Sequence, residues 1–243
     1  DLVETTPDSR PRSEQLVDYE VGYERRSARF SGGANLYYMD YRDQLVLTGE
    51  LNDVGAALRT NVKSSYRAGV ELTFAAQLTK RLTWRGNATL SSNKVRNYTE
   101  YLDDWDNGGQ VAVEHAESDL SFSPSVIAGS ELSVRIIEKE KRARVDLTLV
   151  SKYVGTQYLD NSASADRQLD AYVVNDARLN VTLFGLRGTR SVDLNLTVRN
   201  LFSELYESNG WAYSYMSDGR RQELVGLYPQ APVNVLGGVT VRF

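Results

Sequence analysis

A strict alternation of apolar and polar residues over residues 64–91 limits the folds that this chain can adopt. From Tyr66 onward every second position is apolar, and the positions between carry Arg67, Glu71 and Gln77. Because successive side chains of a strand point to opposite faces, the pattern predicts two long β-strands joined by a short basic turn. The alternation alone does not say whether the apolar face meets a protein core or lipid, and the lengths of the loops and strands favour lipid. The residues predicted to share this lipid-facing side of the first strand are Tyr66, Val70, Leu72, Phe74 and Leu78.

The same alternation recurs along the whole chain and predicts nine strands, with no convincing helical period. The links between these strands alternate in length. Short links are predicted near 25–27, 79–81, 137–142 and 185–190, and long loops near 50–63, 97–118, 158–167 and 203–230. A meander with all short turns on one edge and all long loops on the other is typical of an outer-membrane barrel.

Strand length supports the membrane interpretation. Several predicted strands reach ten or more residues, whereas strands of globular proteins are most often about 5–6 residues long and tilted membrane strands need about 9–11. No apolar stretch approaches the ~20 residues of a membrane-spanning helix. We therefore predict an all-β protein, an antiparallel up-and-down transmembrane β-barrel segment of about nine long strands. A soluble all-β binding domain, the other class considered, would carry long loops on both edges.

Composition excludes several functions. The 28 Lys and Arg against 32 Asp and Glu give a net charge of −4 with no basic block, so no nucleic-acid partner is expected. The chain has no Cys and a single histidine, His115, which we interpret as a loop residue. A zinc cage, a multi-histidine metal site and a histidine-based catalytic triad therefore cannot be assembled, and we expect neither an enzyme nor a cofactor.

The C-terminal segment carries a family resemblance. The stretches "VDLNLTVRNLFSELYES" and "LYPQAPVNVLGGVTVRF" resemble the end of a TonB-dependent outer-membrane receptor. "SSYRAGVEL" at 64–72 resembles a mid-barrel stretch of the same family, and the hairpin before it is also similar. The residues that carry the resemblance of the tail are Asn200, Leu201, Phe202, Tyr206, Tyr228, Pro229, Pro232, Gly238 and Phe243.

This resemblance implies energised uptake of a bulky ligand, such as a siderophore, glycan or peptide, across the outer membrane of a Gram-negative bacterium. It also implies a barrel of about 22 strands, an N-terminal plug and a short segment that binds TonB, and the plug and that segment are not in this sequence. Outer-membrane lipid, the barrel assembly machinery and a surface lipoprotein or other membrane partner are further expected partners. A structural or passive pore barrel without TonB coupling is the alternative.

The predicted outer loops hold the candidate ligand contacts. Aromatic and cationic side chains there present surfaces on which a glycan or chelate can stack, the alternative being that Trp211, Tyr213 and Tyr215 pack on neighbouring strands. The predicted contacts are Tyr101, Trp105, Trp211, Tyr213, Tyr215, Arg220 and Arg221. Asp103, Asp104 and Asp106 are weak candidates for a metal site, because they lack the ligand spacing of a calcium loop and suit a solvated loop tip.

The two ends of the chain lead to further expectations. An alternating apolar tail with a terminal aromatic residue, comprising Val235, Val239, Val241 and Phe243, is expected to be read by the assembly machinery. Nine strands is an odd number, so the first and last strands run in the same direction and cannot close an antiparallel barrel. We therefore expect an incomplete barrel with unpaired edges near 17–23 and 233–243. Residues 1–13 are expected to be the remnant of an outer loop, and 14–243 the C-terminal barrel segment.

Overall fold

The computed structural model describes residues 11–51, 57–139 and 142–243. Nearly all of the regular structure is strand. The strands are β1 (Gln15–Arg26), β2 (Phe30–Leu51), β3 (Ala57–Gln77), β4 (Leu82–Asp104), β5 (Gln110–Asp119), β6 (Val126–Lys139), β7 (Ala143–Val154), β8 (Gln157–Tyr158), β9 (Gln168–Leu169), β10 (Tyr172–Phe184), β11 (Ser191–Arg199), β12 (Glu207–Ser217), β13 (Arg220–Pro229) and β14 (Asn234–Arg242). Between β8 and β9 lies a 3-10 turn at Ala165–Arg167. No helix in the described ranges is long and apolar enough to cross a membrane.

Nine of these strands form one antiparallel meander, as the alternation predicts. Their order is β1-β2-β3-β4-β6-β7-β10-β11-β14. β5 pairs with the outer part of β4, and β12 pairs with β13 and, over two residues, with β4. The sheet is open, because β1 pairs with β2 and β14 pairs with β11, but the two edge strands do not pair with each other in the described part of the chain. The predicted unpaired edges are therefore confirmed.

The strand register gives the meander one apolar face and one polar face. Residues directly opposite each other on neighbouring strands project to the same side of a sheet. One apolar row runs through Val21, Leu36, Val70, Leu90 and Val126. A second runs through Trp84, Leu132, Leu149, Ala177, Val198 and Val235, so that the two rows together cross all nine strands. We call this continuous surface the apolar belt.

The opposite face carries charged and amide side chains in the same register. Arg135 pairs with Asp146, which pairs with Asn180, which pairs in turn with Asn195. The Arg135 guanidinium donates to Asp146 at 3.2 Å, and Arg85 donates to Glu131. Tyr66, Val70, Leu72, Phe74 and Leu78 share the apolar side by strand alternation, and their contact with lipid stays a prediction.

Two strands, β2 and β4, each contain a kink just beyond the apolar belt, where the positions that face inward change between odd and even. Asp43 in β2 and Asn97 in β4 both have left-handed backbone conformations, with φ of 51° and 52°. Before Asn97 the buried residues of β4 are at odd positions, as in Asn93 and Val95, whereas Tyr98, Glu100 and Leu102 are buried after it. Asn and Asp tolerate this conformation better than other residues with side chains. The side-chain amide of Asn61 stabilises the kink in β2 by donating a hydrogen bond to the Asp43 backbone carbonyl at 2.7 Å.

Beyond this kink the chain forms a second layer, which we call the outer tier. It comprises the ends of β2–β4 beyond the kink, β5, the segment 155–171 and the hairpin β12–β13. Its apolar contacts form two small clusters: Val46, Val62, Val95, Tyr98 and Leu120 in one, and Leu159, Leu169 and Ala212 with Phe122 in the other. The outer tier therefore has a core of its own, separate from the apolar belt.

The outer tier corrects several predicted loops. Residues 97–118 mostly continue β4 and form β5, and 203–230 contain the hairpin β12–β13. Residues 57–63, within the predicted loop 50–63, belong to β3, and 52–56 lie outside the described residues. His115 lies in β5 opposite Tyr98, so its interpretation as a loop residue is wrong. These segments form strands because β3 and β4 continue past the kink into the outer tier and supply pairing partners.

Candidate functional site

Two hairpins of the outer tier are fastened together at their tips. Trp105, in the β4–β5 turn, donates its backbone N–H to the Met216 carbonyl at 3.0 Å. The Asp106 carboxylate accepts the backbone N–H groups of Asp218 and Gly219, both at 2.9 Å. These bonds hold the β12–β13 turn against the β4–β5 turn.

An aromatic stack continues the same contact. The ring of Trp105 stacks on that of Tyr215 with centroids 4.0 Å apart, and Tyr215 stacks on Tyr213 at 5.5 Å. The Tyr213 hydroxyl donates to Asp103 at 2.8 Å. One face of Trp105 stays open to solvent, since the residue is 61% exposed. The stack therefore both joins the hairpins and presents an aromatic surface outward.

The three aspartates of the β4–β5 turn do not converge on a common point. Asp103 accepts from Tyr213 and from the Gln110 amide, whereas Asp106 accepts from the backbone of the other hairpin. Asp104 accepts from the side chain and backbone of Asn107, and these bonds lower its pKa. Within the described ranges, no group of three or more His, Cys, Asp or Glu side chains is arranged to hold a metal ion.

A buried network of charges lies beneath the tips. Arg167, from the 3-10 turn, is 2% exposed and donates to Glu100 at 2.8 Å and to Asp160. Arg221, from β13, donates to the same Glu100 at 2.6 Å and lies 2.9 Å from Glu223. The network joins β4, the segment 155–171 and β13 through one carboxylate, that of Glu100.

His115 completes the surroundings of Glu100. Its Nε2 lies 3.0 Å from Glu100 Oε2, and its ring stacks on Tyr98. Burial by itself raises the pKa of Glu100, but the hydrogen bonds from Arg167, Arg221 and His115 outweigh it and leave the pKa below its ordinary value. Glu100 is therefore held as a carboxylate inside the outer tier.

The seven predicted ligand contacts fall into two groups. Tyr101, Trp105 and Arg220 are exposed to solvent. Trp211 lies over Gly226, where a Cβ would overlap the indole, and Tyr213 and Tyr215 belong to the aromatic stack. Arg221 points into the charge network. Ligand contact stays a prediction for all seven.

Arg167, Asp160 and Glu223 are site residues that the sequence analysis missed. They lie far apart from Glu100 along the chain and belong to no motif, so no local pattern brings them together. The β12–β13 hairpin, in contrast, does have a local signal. Asp218-Gly219 adopts positive φ at both residues, and this dipeptide between alternating residues is a strong hairpin signature.

The polar face of the meander carries a pocket just below the outer tier. Its volume is about 360 Å³, and its lining includes Lys152, Arg199 and Asp176. Tyr172 and Tyr206 also line it, with ring centroids 4.3 Å apart. Two cations and a pair of aromatic rings suit an anionic group that has apolar or aromatic surface.

Asn200 organises the turn that follows β11. It is buried with φ of 49°, and its amide accepts from the Glu204 backbone and donates to the carbonyls of Glu204 and Ala231. Its own N–H donates to Asp176. The Asn-Leu-Phe segment therefore has a local structural role, because Asn200 joins the chain that leads into β12 to the chain that leaves β13.

A family model described as TonB dependent receptor-like, beta-barrel, matches residues 11–201. The chain belongs to the TonB-dependent receptor β-barrel family. Comparison with curated proteins gives no match. The family and its structural neighbours are receptors and transporters rather than enzymes.

Solved structures of this family share the fold. The ferric yersiniabactin uptake receptor FyuA from Yersinia pestis is 19% identical, with a TM-score of 0.61 over 93% of this chain and 29% of that one. The ferric-catecholate import receptor Fiu from E. coli K12 is 18% identical, with a TM-score of 0.60 over 94% and 28%. The ferric preacinetobactin receptor BauA from Acinetobacter baumannii is 13% identical, with a TM-score of 0.62 over 93% and 29%. The chain thus spans less than a third of the length of these receptors.

Proposed function

We propose that this chain is the C-terminal sector of the barrel of a receptor that imports a bulky ligand across the outer membrane of a Gram-negative bacterium, driven by TonB. The observation that carries the proposal is the nine-strand meander with one continuous apolar face, one charged face and a structured tier on one edge only. Such an exposed apolar surface suits contact with lipid, and a polar interior suits a lumen. The outer tier then faces the outside of the cell.

The proposed partners follow from this placement. Outer-membrane lipid covers the apolar belt. An N-terminal plug and the remaining strands complete the lumen, against charged groups such as the Arg135–Asp146 and Arg85–Glu131 pairs. TonB binds the N-terminal region of the whole receptor, and the assembly machinery reads Val239, Val241 and Phe243. A surface lipoprotein or another membrane protein is a further partner of the outer tier. Residues 14–243 form the barrel sector, and positions 1–10 of the expected outer loop 1–13 lie outside the described residues.

The ligand that this surface favours is an anionic chelate. The pocket beside Lys152 and Arg199 offers two positive charges and a tyrosine pair on the polar face. FyuA, Fiu and BauA are receptors for ferric yersiniabactin, ferric catecholates and ferric preacinetobactin, respectively. In this proposal Tyr101, Trp105 and Arg220 meet the ligand first, and the pocket receives it on its way inward.

Uptake of radiolabelled iron, supplied as a panel of ferric catecholate and ferric hydroxamate chelates, tests the proposal. The full-length receptor is expressed in cells with and without TonB. Uptake of at least one chelate is expected only in the cells with TonB, and the double variant Lys152→Ala and Arg199→Ala is expected to lower it. Lys80→Ala, in a short turn at the opposite edge of the sheet, is the matched control. Equal uptake in both strains would instead indicate a passive pore.

A further inference from the structure

The edge of the sheet opposite the outer tier carries a row of cations. Residues 25–29, 78–81 and 185–190, which link β1 to β2, β3 to β4 and β10 to β11, contain seven Lys and Arg and no Asp or Glu. We call these seven the basic edge: Arg25, Arg26, Arg29, Lys80, Arg81, Arg187 and Arg190. The β6–β7 link adds the exposed Lys139 and Arg142, and 140–141 lie outside the described residues.

The links of the outer tier carry the opposite charge. Among the described residues their charged side chains are six carboxylates and one cation: Asp106, Asp160, Asp166, Asp170, Glu204, Asp218 and Arg167. The net charge of −4 therefore conceals a separation of charge between the two edges of the sheet.

The side chains of the basic edge lack compensating charges. All seven are exposed, and in the described part of the chain only Arg26 forms an ion pair, with Glu24 at 2.6 Å. A cation farther into the sheet behaves differently, since Arg85 pairs with Glu131 on the neighbouring strand. The polar face thus compensates its charges internally, whereas the basic edge presents them outward.

Hydroxyl groups, rather than the cations, hold the three links in shape. Ser27 Oγ accepts the backbone N–H of Phe30 at 3.2 Å. Thr79 Oγ1 accepts that of Leu82 at 3.0 Å. Thr189 Oγ1 donates to the backbone carbonyl three residues earlier at 3.1 Å. The charged groups of the basic edge therefore have no part in forming these turns and are available to a ligand.

Exposed apolar side chains accompany the cations. Phe30, which follows Arg29, is 47% exposed, and Leu78 and Leu186 are 51% and 44% exposed. Long cationic side chains lie along apolar surface while their heads stay in a polar layer. A free anion or an acidic soluble protein would satisfy only the charges, whereas a phospholipid supplies a phosphate for the cations and acyl chains for the apolar groups.

The spacing of the links favours a charged surface as the partner. The hairpins β1–β2, β3–β4, β6–β7 and β10–β11 are consecutive along the sheet. Neighbouring links are therefore two strand spacings apart, roughly 10 Å. This separation is close to the Debye length of about 8 Å at physiological ionic strength, so the fields of adjacent links overlap into one positive band.

We propose that the basic edge binds the anionic headgroups of phospholipids in the periplasmic leaflet of the outer membrane. The choice of leaflet rests on the proposed function, which places the outer tier outside the cell and this edge on the periplasmic side. Guanidinium groups bind phosphate with two parallel hydrogen bonds. Each basic residue near an anionic membrane surface strengthens binding about fivefold.

Quenching of Trp84 by brominated lipids tests this proposal. Trp84 lies three residues after Arg81, on the apolar face, and is 42% exposed. The full-length receptor, with Trp84 as its only tryptophan, is placed in vesicles of phosphatidylcholine and phosphatidylglycerol, with either lipid brominated in its acyl chains. Comparison of the two quenching curves gives the preference of this site for the anionic lipid. The receptor with its native cations is expected to prefer phosphatidylglycerol several-fold.

Paired substitutions assign this preference to the basic edge. Lys80→Gln with Arg81→Gln is expected to abolish it, whereas Lys80→Arg with Arg81→Lys keeps the charges and should retain it. Arg59→Gln with Lys63→Gln removes one Arg and one Lys from exposed positions of the outer tier, and this matched control should also retain it. Heat-dependent gel mobility shows that each variant is folded.

Two results would overturn the proposal. One is equal quenching by both lipids in the receptor with its native cations, which would leave the edge to solvent or to an acidic protein. The other is an unchanged preference in the variant with glutamine at 80 and 81. If that variant does not fold, high salt provides the same test, because screening should remove the preference of the unaltered edge. These measurements involve neither TonB nor uptake, so the two proposals fail separately.

Discussion

At the scale of single residues, Glu100 is the side chain that joins three elements of the outer tier through one carboxylate. It accepts from Arg167 of the segment 155–171, from Arg221 of β13 and from His115 of β5. Each of these donors lies on a different element, so one carboxylate fixes the relative positions of three. A buried ion pair adds little net stability when complete, but removing one partner leaves the remaining charges uncompensated.

Replacement of this carboxylate should therefore loosen the outer tier. Glu100→Gln is expected to lower the free energy of unfolding of the tier by about 3 kcal/mol. The measurement is urea-dependent fluorescence of a full-length receptor in which Trp105 and Trp211 are the only tryptophans, so Trp84 of this sector and every tryptophan elsewhere in the receptor are replaced by Phe. Glu114→Gln, at an exposed position of β5, should change stability by less than about 0.5 kcal/mol. Equal effects of the two substitutions would contradict the assigned role of Glu100.

The same carboxylate predicts a response to acid. The pKa of Glu100 is lowered in the folded state from its ordinary value of 4.5. The ionised carboxylate therefore contributes fully to the stability of the outer tier above pH 4.5, and this contribution is lost as pH falls through the lowered pKa of the folded state. Fluorescence of Trp105 and Trp211 should stay constant down to about pH 5 and change below about 4.5. Glu100→Gln should show a smaller change over the same interval. An identical acid response in the variant would assign the transition to other carboxylates.

At the scale of elements, the alternation determined what the sequence could predict. Within the apolar belt the strands keep the alternation of apolar and polar residues without interruption, as from Tyr66 to Leu78, and the alternation predicts all nine. The prediction is wrong where the buried positions of a strand change between odd and even. At Asn97 the left-handed backbone shifts the buried positions of β4 from odd to even. The alternation is interrupted there, so the sequence pattern predicts a loop where β4 in fact continues.

Long-range contacts account for the other failures. Trp211, Tyr213 and Tyr215 alternate as a strand does, but their neighbours Asp103 and Trp105 are about a hundred residues away in the chain. The buried site around Arg167 depends entirely on such contacts. Local hydropathy carries no information about them, whereas Asp218-Gly219 is a local sequence signal for the β12–β13 turn.

The apolar belt predicts a strong asymmetry between the two faces of β3. Leu72→Arg is expected to cost about 2–4 kcal/mol if residue 72 lies near the bilayer midplane, because a charge there meets hydrocarbon. Glu71→Arg places the same side chain on the polar face and is expected to cost less than about 1 kcal/mol. Equilibrium unfolding in lipid vesicles measures both. Similar costs at 71 and 72 would show that residue 72 does not face lipid.

The last strand allows a test of the proposed assembly signal. Phe243 lies just past β14 and is 91% exposed, so its removal disturbs almost no packing in this sector. Deletion of Phe243 from the full-length receptor is expected to lower outer-membrane insertion several-fold, whereas truncation of Leu147 on β7 to Ala should leave insertion nearly unchanged. Membrane fractionation with heat-dependent gel mobility gives the inserted fraction. Equal insertion of both variants would reduce the role of Phe243 to that of an ordinary strand end.

At the scale of the whole molecule, the open edges are the main feature. All twelve residues of β1 are exposed, and the outer edge of β14 is equally unpaired in the described residues. Unpaired backbone groups facing hydrocarbon cost several kcal/mol each, so in a membrane both edges have to pair with other strands. The odd number of strands in the meander makes β1 and β14 run in the same direction, which excludes antiparallel pairing between them.

Cysteine cross-linking tests this arrangement, because this sector carries no Cys of its own and any Cys elsewhere in the receptor can be replaced by Ser. In the full-length receptor, the pair Tyr19→Cys and Tyr38→Cys should form a disulfide, because these residues are directly opposite in the register of β1 and β2. The pair Tyr19→Cys and Val239→Cys, which joins the two edges, should not. Gel mobility with and without reductant reports both. Efficient cross-linking of the second pair would mean that this sector closes on itself.

β4 gives this architecture a mechanical property. It runs unbroken for 23 residues, about 75 Å at the usual rise of a strand, and pairs first with β6 in the apolar belt and then with β5 in the outer tier. The same strand thus lies in the apolar belt at one end and carries Glu100 and Asp103, the contacts to the β12–β13 hairpin, at the other. A force applied to the tip of that hairpin would therefore reach the wall of the sector through β4, and it would have to pass Asn97, where φ of 52° interrupts the extended backbone.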